Sequence, residues 1–133
     1  MKIKKLLRFY YSAGSLNGAL DNIIMHVALS AGGDTFSGCE AYADKIADII
    51  GAKAKLADLW ARLNTVLCDM TDRDVKALKR YAALRTGVDG EEKREIHRAV
   101  VKFTRRAARL LKGAEAEYKI LCAYQCLLSY KPD

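Results

Sequence analysis

Eight lysines or arginines and one acid, Glu95, lie between Lys93 and Lys112, a local charge of +7. The rest of the chain carries 15 basic and 15 acidic side chains, so the whole net charge of +7 sits in this one segment. Guanidinium and ammonium groups at this density form charge-assisted hydrogen bonds to phosphate or carboxylate oxygens. At about 100° per residue, Arg94, Arg98, Lys102, Arg105, Arg109 and Lys112 fall on one side of a helix. Ile96, Val100, Phe103, Ala107, Leu110 and Leu111 fall on the other. The i,i+4 pairs along the basic side are like-charged (Arg94 with Arg98, Arg98 with Lys102, Lys102 with Arg106, Arg105 with Arg109). Each such pair costs about 0.2 to 0.5 kcal/mol. A merely solvated face would be laced with acids, as Asp58 with Arg62 and Asp72 with Lys76 are elsewhere.

The expected partner is therefore a polyanion, with an acidic protein as the alternative. No Asn or Gln lies on the basic segment to read adenine, and its one aromatic, Phe103, falls on the apolar side. Contact with duplex phosphates at low sequence specificity is the mode that composition supports.

Catalytic chemistry finds no such concentration. The chain has no Gly-rich phosphate loop, no His-Glu-x-x-His and no nucleophile elbow, and neither His26 nor His97 follows a Glu by three residues. His26 is expected to be half-buried and hydrogen-bonded, His97 exposed. Cys39, Cys68, Cys122 and Cys126 include no Cys-x-x-Cys pair and read as reduced core thiols, although Cys122 and Cys126 share a helix face. Glu91, Glu92 and Glu95 suit the positive end of a helix dipole better than acid–base work. No enzymatic activity, no cofactor and no metal are expected.

The elements that must carry the basic row are helical. The chain has 133 residues, 51% of them hydrophobic and 29% charged, and its single proline is Pro132. That length and balance suit one domain, and nothing breaks helix through most of it. Lys2 to Tyr11 reads as a short basic helix ending at Gly14, and Ser15 opens a second pattern through Leu16, Leu20, Ile23, Ile24 and Val27. Ser37-Gly-Cys-Glu40 fits a capping box. The helix after it carries Tyr42, Ile46, Ile49, Leu56, Trp60, Leu63 and Leu67 in heptad steps, with one beat missing at Lys53. An antiparallel hairpin with the Leu16 to Leu29 segment would bury this seam; an intermolecular coiled coil is the alternative. A buried amine would be costly, so Lys53 is expected at the edge of an intramolecular face, and the chain as a monomer or weak homodimer. Thr71-Asp-Arg-Asp74 is another capping start, followed by Val75, Leu78, Ala82 and Leu84. Asp89 opens a single helix over Glu91 to Leu111, and Gly113 ends or bends it. Tyr118 to Tyr130 is apolar nearly all round and reads as a central helix.

In order, Lys4-Lys-Leu-Leu-Arg-Phe-Tyr-Tyr11, the heptad helix, Met70-Thr-Asp-Arg-Asp74, Leu78-Lys-Arg-Tyr81 and Val100-Val-Lys-Phe-Thr-Arg-Arg-Ala107 cover most of the chain. This arrangement resembles small helical proteins of bacterial prophages, in which a coiled-coil-like front half precedes a segment similar to the DNA-binding region 4 of sigma factors. The resemblance implies DNA binding and transcriptional regulation, with Arg80-Tyr81 and Arg106-Ala107 standing where the ends of the sigma-like segment would be.

The expectation is thus an all-α, single-domain bundle of about five or six helices over 1–133, with a hairpin part (14–70) and a basic-helix and core-helix part (71–130). Its longest uncharged stretch, Asn22 to Gly33, is far below the roughly 20 apolar residues that span a bilayer. Ser12, Ser15 and Asn17 dilute what would follow a signal-like start, and a cytoplasmic location is expected.

Overall fold

The computed structural model describes residues 2–31, 36–84 and 90–124. They form five helices, α1 (Ile3–Ala31), α2 (Phe36–Cys68), α3 (Asp72–Ala83), α4 (Gly90–Leu110) and α5 (Glu115–Ala123), and no strand. None of these helices is long and apolar enough to cross a membrane.

The first two sequence patterns are one helix. α1 continues through Gly14 and Gly18, because Leu6 and Phe9 before them share a buried side with Leu16 and Leu20 after them. Each interior glycine costs about 0.5 to 1 kcal/mol, whereas burying each leucine returns about 1.5 to 3 kcal/mol. The hairpin therefore starts at Ile3, not at residue 14.

α2 lies antiparallel to α1. Tyr10 stacks on Trp60 with ring centroids 5.2 Å apart, its hydroxyl donates to Asn64 Oδ1 at 2.7 Å, and Lys53 forms an ion pair with Asp21 one end further along. The buried seam of α2 is Ile49, Ala52, Leu56, Leu59, Leu63 and Val66, in unbroken steps of three and four that Met70 continues just past the helix end. It shares Ile49, Leu56 and Leu63 with the expected heptad but takes Ala52, Leu59 and Val66 where Lys53, Trp60 and Leu67 were expected. The missing beat at Lys53 vanishes, since Ala52 fills it. Trp60 stands half out of water at the rim, and Leu67 is buried on the flank. α2 already includes Ser37, so the residue is not the one preceding the helix; the side chains of Ser37 and Glu40 lie outside the described residues.

Two arginines dock the short helices onto the hairpin by binding their carboxyl ends. Arg8 donates through Nε to Ala82 O at 2.8 Å and through Nη2 to Leu84 O at 3.1 Å, at the end of α3. Arg62 donates through Nη1 to Leu110 O at 3.0 Å and Lys112 O at 3.4 Å, at the end of α4. The last carbonyls of a helix lack intrahelical partners and carry the negative end of its dipole, so a guanidinium satisfies both needs. Gly113, at φ +83°, makes the turn from α4 into α5, as expected of it.

α5 is less central than its sequence suggests. Leu121 is fully buried and Tyr118 accepts a hydrogen bond from the Lys2 backbone N–H at 3.1 Å, but Glu115, Ala116, Lys119 and Ala123 are exposed. One face packs against α2 and the first turns of α1, and the other meets solvent. Leu127, Leu128 and Tyr130 lie outside the described residues.

The seam's phase is testable by urea denaturation. Leu59→Ala should lose about 2 to 5 kcal/mol, as a fully buried leucine does. Trp60→Ala should lose about 1 kcal/mol, the scale of a rim aromatic stack. The reverse order would restore Trp60 to the seam.

Candidate nucleic-acid interface

α4 is a single helix from Gly90 to Leu110, with no turn inside it. Its first residues follow the expected start, although Asp89 lies outside the described residues. Ile96, Ala99, Phe103 and Ala107 are buried, and Leu111 is buried just past its end. Val100 is half-buried, and Ala99 takes the place expected for Leu110, which is exposed. Leu110 lines an open groove with Val66 and Asp69 instead.

The structure puts all six expected cations on the solvent side. Arg94, Arg98, Lys102, Arg105 and Arg109 are exposed along α4, and Lys112 is exposed in the turn that follows. At 1.5 Å rise per residue, Arg94 to Arg109 spans about 22 Å.

They are not equivalent. Lys102 donates to Asp74 Oδ2 at 3.2 Å, so part of its charge is answered within the chain. Among the described residues, Arg94, Arg98, Arg105 and Arg109 form no ion pair. Two acids at the start of α4 are engaged elsewhere: Arg73 Nε donates to Glu95 Oε1 at 2.9 Å, and Arg80 Nε to Glu92 Oε1 at 2.7 Å. Glu92 and Glu95, expected to serve the helix dipole, thus also lace α3 to α4.

Arg106 belongs to the site, although its place beside the stripe kept it out of the expected set. It donates to the Asp69 carbonyl, and together with Arg105, Arg109, Val66, Asp69 and Leu110 it lines an open groove of about 640 Å³. Its signal in the sequence is its adjacency to Arg105 in a segment that already holds the chain's charge excess.

The basic start of the chain turns inward. Lys4 Nζ lies 5.4 Å from the Tyr81 ring centroid and Lys5 Nζ 5.9 Å from that of Tyr118, cation–π distances, while Arg8 is spent on α3. Burial, and next the neighbouring Arg8, hold the Lys4 ammonium below the usual lysine range.

Among the described residues, no three His, Cys, Asp or Glu side chains gather closely enough to hold a metal ion. Two expectations about single residues change. His26 is exposed, since α1 projects past the short helices there, and Cys68 is exposed at the last residue of α2. Cys122 is half-buried, 3.6 Å from Lys5 Nζ; the side chains of Cys39 and Cys126 lie outside the described residues. His97 is exposed as expected.

Thr71 caps α3 as its sequence indicates, its Oγ1 accepting from Asp74 N at 3.2 Å. Burial pushes the Asp74 carboxyl up, but hydrogen bonds from Lys102 and Thr71 and the charges of Lys102 and Arg106 outweigh it and hold it below the usual carboxylate range.

Comparison with protein-family models, curated proteins and solved structures finds no match to this chain.

A depressed carboxyl stabilises the fold above its unfolded value, and that contribution is lost as pH falls through the lower folded value. Asp74→Asn should therefore lower stability at neutral pH and flatten the loss that follows acidification below about pH 4. Thermal melts of both proteins across that range check it. Parallel acid limbs would remove Asp74 from the account.

Proposed function

We propose that the chain is a non-enzymatic nucleic-acid-binding protein that grips duplex phosphates through α4 with little sequence preference. One observation carries this: Arg94, Arg98, Arg105 and Arg109 stand exposed in a row on an unbroken helix while the neighbouring Glu92 and Glu95 are bound to α3. Free guanidinium groups on a rigid rod suit the phosphate backbone, and the absence of Asn or Gln from the row removes the usual means of reading adenine. A cytoplasmic, phage-derived regulator of transcription is the setting that the resemblance implies. The continuity of α4 favours backbone contact over insertion of a short recognition helix after a turn.

The rival, an interaction module using the 42–67 seam, has less support. Ile49, Leu56, Leu63 and Leu67 are already buried inside the chain, so that seam would have to open before it could bind another helix.

With four or five phosphate contacts, log K for a duplex should fall against log salt with a slope of about −4. Arg98→Glu, Arg105→Glu and Arg109→Glu together should abolish binding and leave the helical circular dichroism intact. Replacing Lys55, Lys76 and Lys119 with Glu makes the same change of charge on exposed positions outside the row. Equal loss in both triple variants would mean that bulk charge alone acts. An absence of binding at low salt, with retention of an acidic protein ligand, would replace nucleic acid with the acidic-protein alternative.

A further inference from the structure

Among the described residues, the α1–α2 hairpin is covered on one side only. Arg8 reaches α3, Arg62 reaches the end of α4, and Lys2 and Lys5 reach α5, all from the same flank of the seam. On the other flank a groove of about 270 Å³ opens to solvent, lined by α1 and α2 alone. Leu16, Leu20 and Leu56 form its floor, Ala57 and Asn17 its walls, and the exposed edge of Trp60 closes one end. Ile50 follows on the same flank of α2 and is 54% exposed.

We propose that this face is a self-association face, on which a second copy of the chain seats about a twofold axis. Three observations select that occupant. By the helical repeat, the only ionic groups on this flank among the described residues are Asp21 and Lys53, which pair across the groove. A twofold axis between them sets each Lys53 against the other copy's Asp21, so the face complements itself in charge. An acidic partner would instead be drawn to α4, and a basic one has no acidic surface here to meet.

The second observation is where the charge lies. The net excess of +7 sits on α4 and the turn after it, beyond the covered flank, so two copies joined by their bare flanks keep their basic rows apart on opposite outer surfaces. The third is size. From Tyr10 to Ala28 the face runs about 27 Å along the helices and about 20 Å across two of them, a footprint of about 540 Å² that comes near the roughly 600 Å² per partner at the small end of specific interfaces. The inference does not rest on nucleic-acid binding.

Sedimentation of the full chain between about 1 and 100 μM tests it, because an interface at this small end of the range gives affinities that such concentrations bracket. A monomer–dimer equilibrium is expected, with Ala57→Arg weakening it at least about tenfold, the loss of roughly 1.4 kcal/mol from a bulky charge in the groove. Ala57 is exposed, so circular dichroism should be unchanged. If that variant loses helix, Ile50→Arg on the same flank decides. Leu29→Arg removes an exposed apolar side chain from the opposite edge of α1 and should leave the dimer as it was. A chain that stays monomeric at 100 μM, a dimer that Ala57→Arg and Ile50→Arg leave untouched, or one that Leu29→Arg weakens equally overturns the proposal.

Discussion

Leu59 and Leu63 have no contact with water at all, and the burial of their neighbours Ile49, Ala52, Leu56 and Val66 repeats in steps of three and four over nearly five turns of α2 and reaches Met70 just past its end. This seam is the constraint from which the other placements follow. One helix does not shield all of it, because Ala52, Leu59 and Val66 lie to one side of Ile49, Leu56 and Leu63 on the helix surface. α1 closes it lengthwise, and α4 and α5 close the flank near the carboxyl end of α2. Among the described residues the far end of the hairpin has no such cover: none of those in α1 after Leu20 is fully buried, and Met25 and Leu29 are open to solvent.

The basic row owes its freedom to the same arrangement. α4 must lie with Phe103 and Ala107 inward to cover the seam, which turns its cations out. α3 then fills the space beside it, and its own Arg73 and Arg80 capture Glu95 and Glu92. The arginines of α3 thus hold the two carboxylates that lie among the first cations of the row.

Much of this was legible from periodicity. The helical class, the amphipathic α4, its unbroken course and the cap at Thr71 all rest on local rules that need no knowledge of neighbours. The seam's phase was not legible, since Trp60 and Leu59 both satisfy a heptad drawn through Ile49, Leu56 and Leu63. Size favours Trp60 in a sequence, whereas close packing of two helices favours Ala52 and Leu59. Gly14 misled for a related reason: a glycine stops a helix only where no buried leucine on the next turn holds it together. The roles of Arg8 and Arg62 were beyond reach, because their acceptors are backbone carbonyls 74 and 48 residues away that no side-chain pattern marks. For the same reason the inequality within the row, with Lys102 answered by Asp74, appeared only once α3 had a position.

Those two arginines set an order in which the protein comes apart in acid. The acceptors of Arg8 and Arg62 are amide carbonyls, so no carboxylate takes part in these ties of α3 to α1 and of α4 to α2. In the Asp74–Lys102 contact between α3 and α4 the acceptor is a carboxylate, held below its usual range and neutralised only as pH falls through that lowered value. Acid therefore loosens that one contact between the two helices before it touches the mooring of either to the hairpin, and the buried Leu78, Ala82 and Phe103 still pack in the common core.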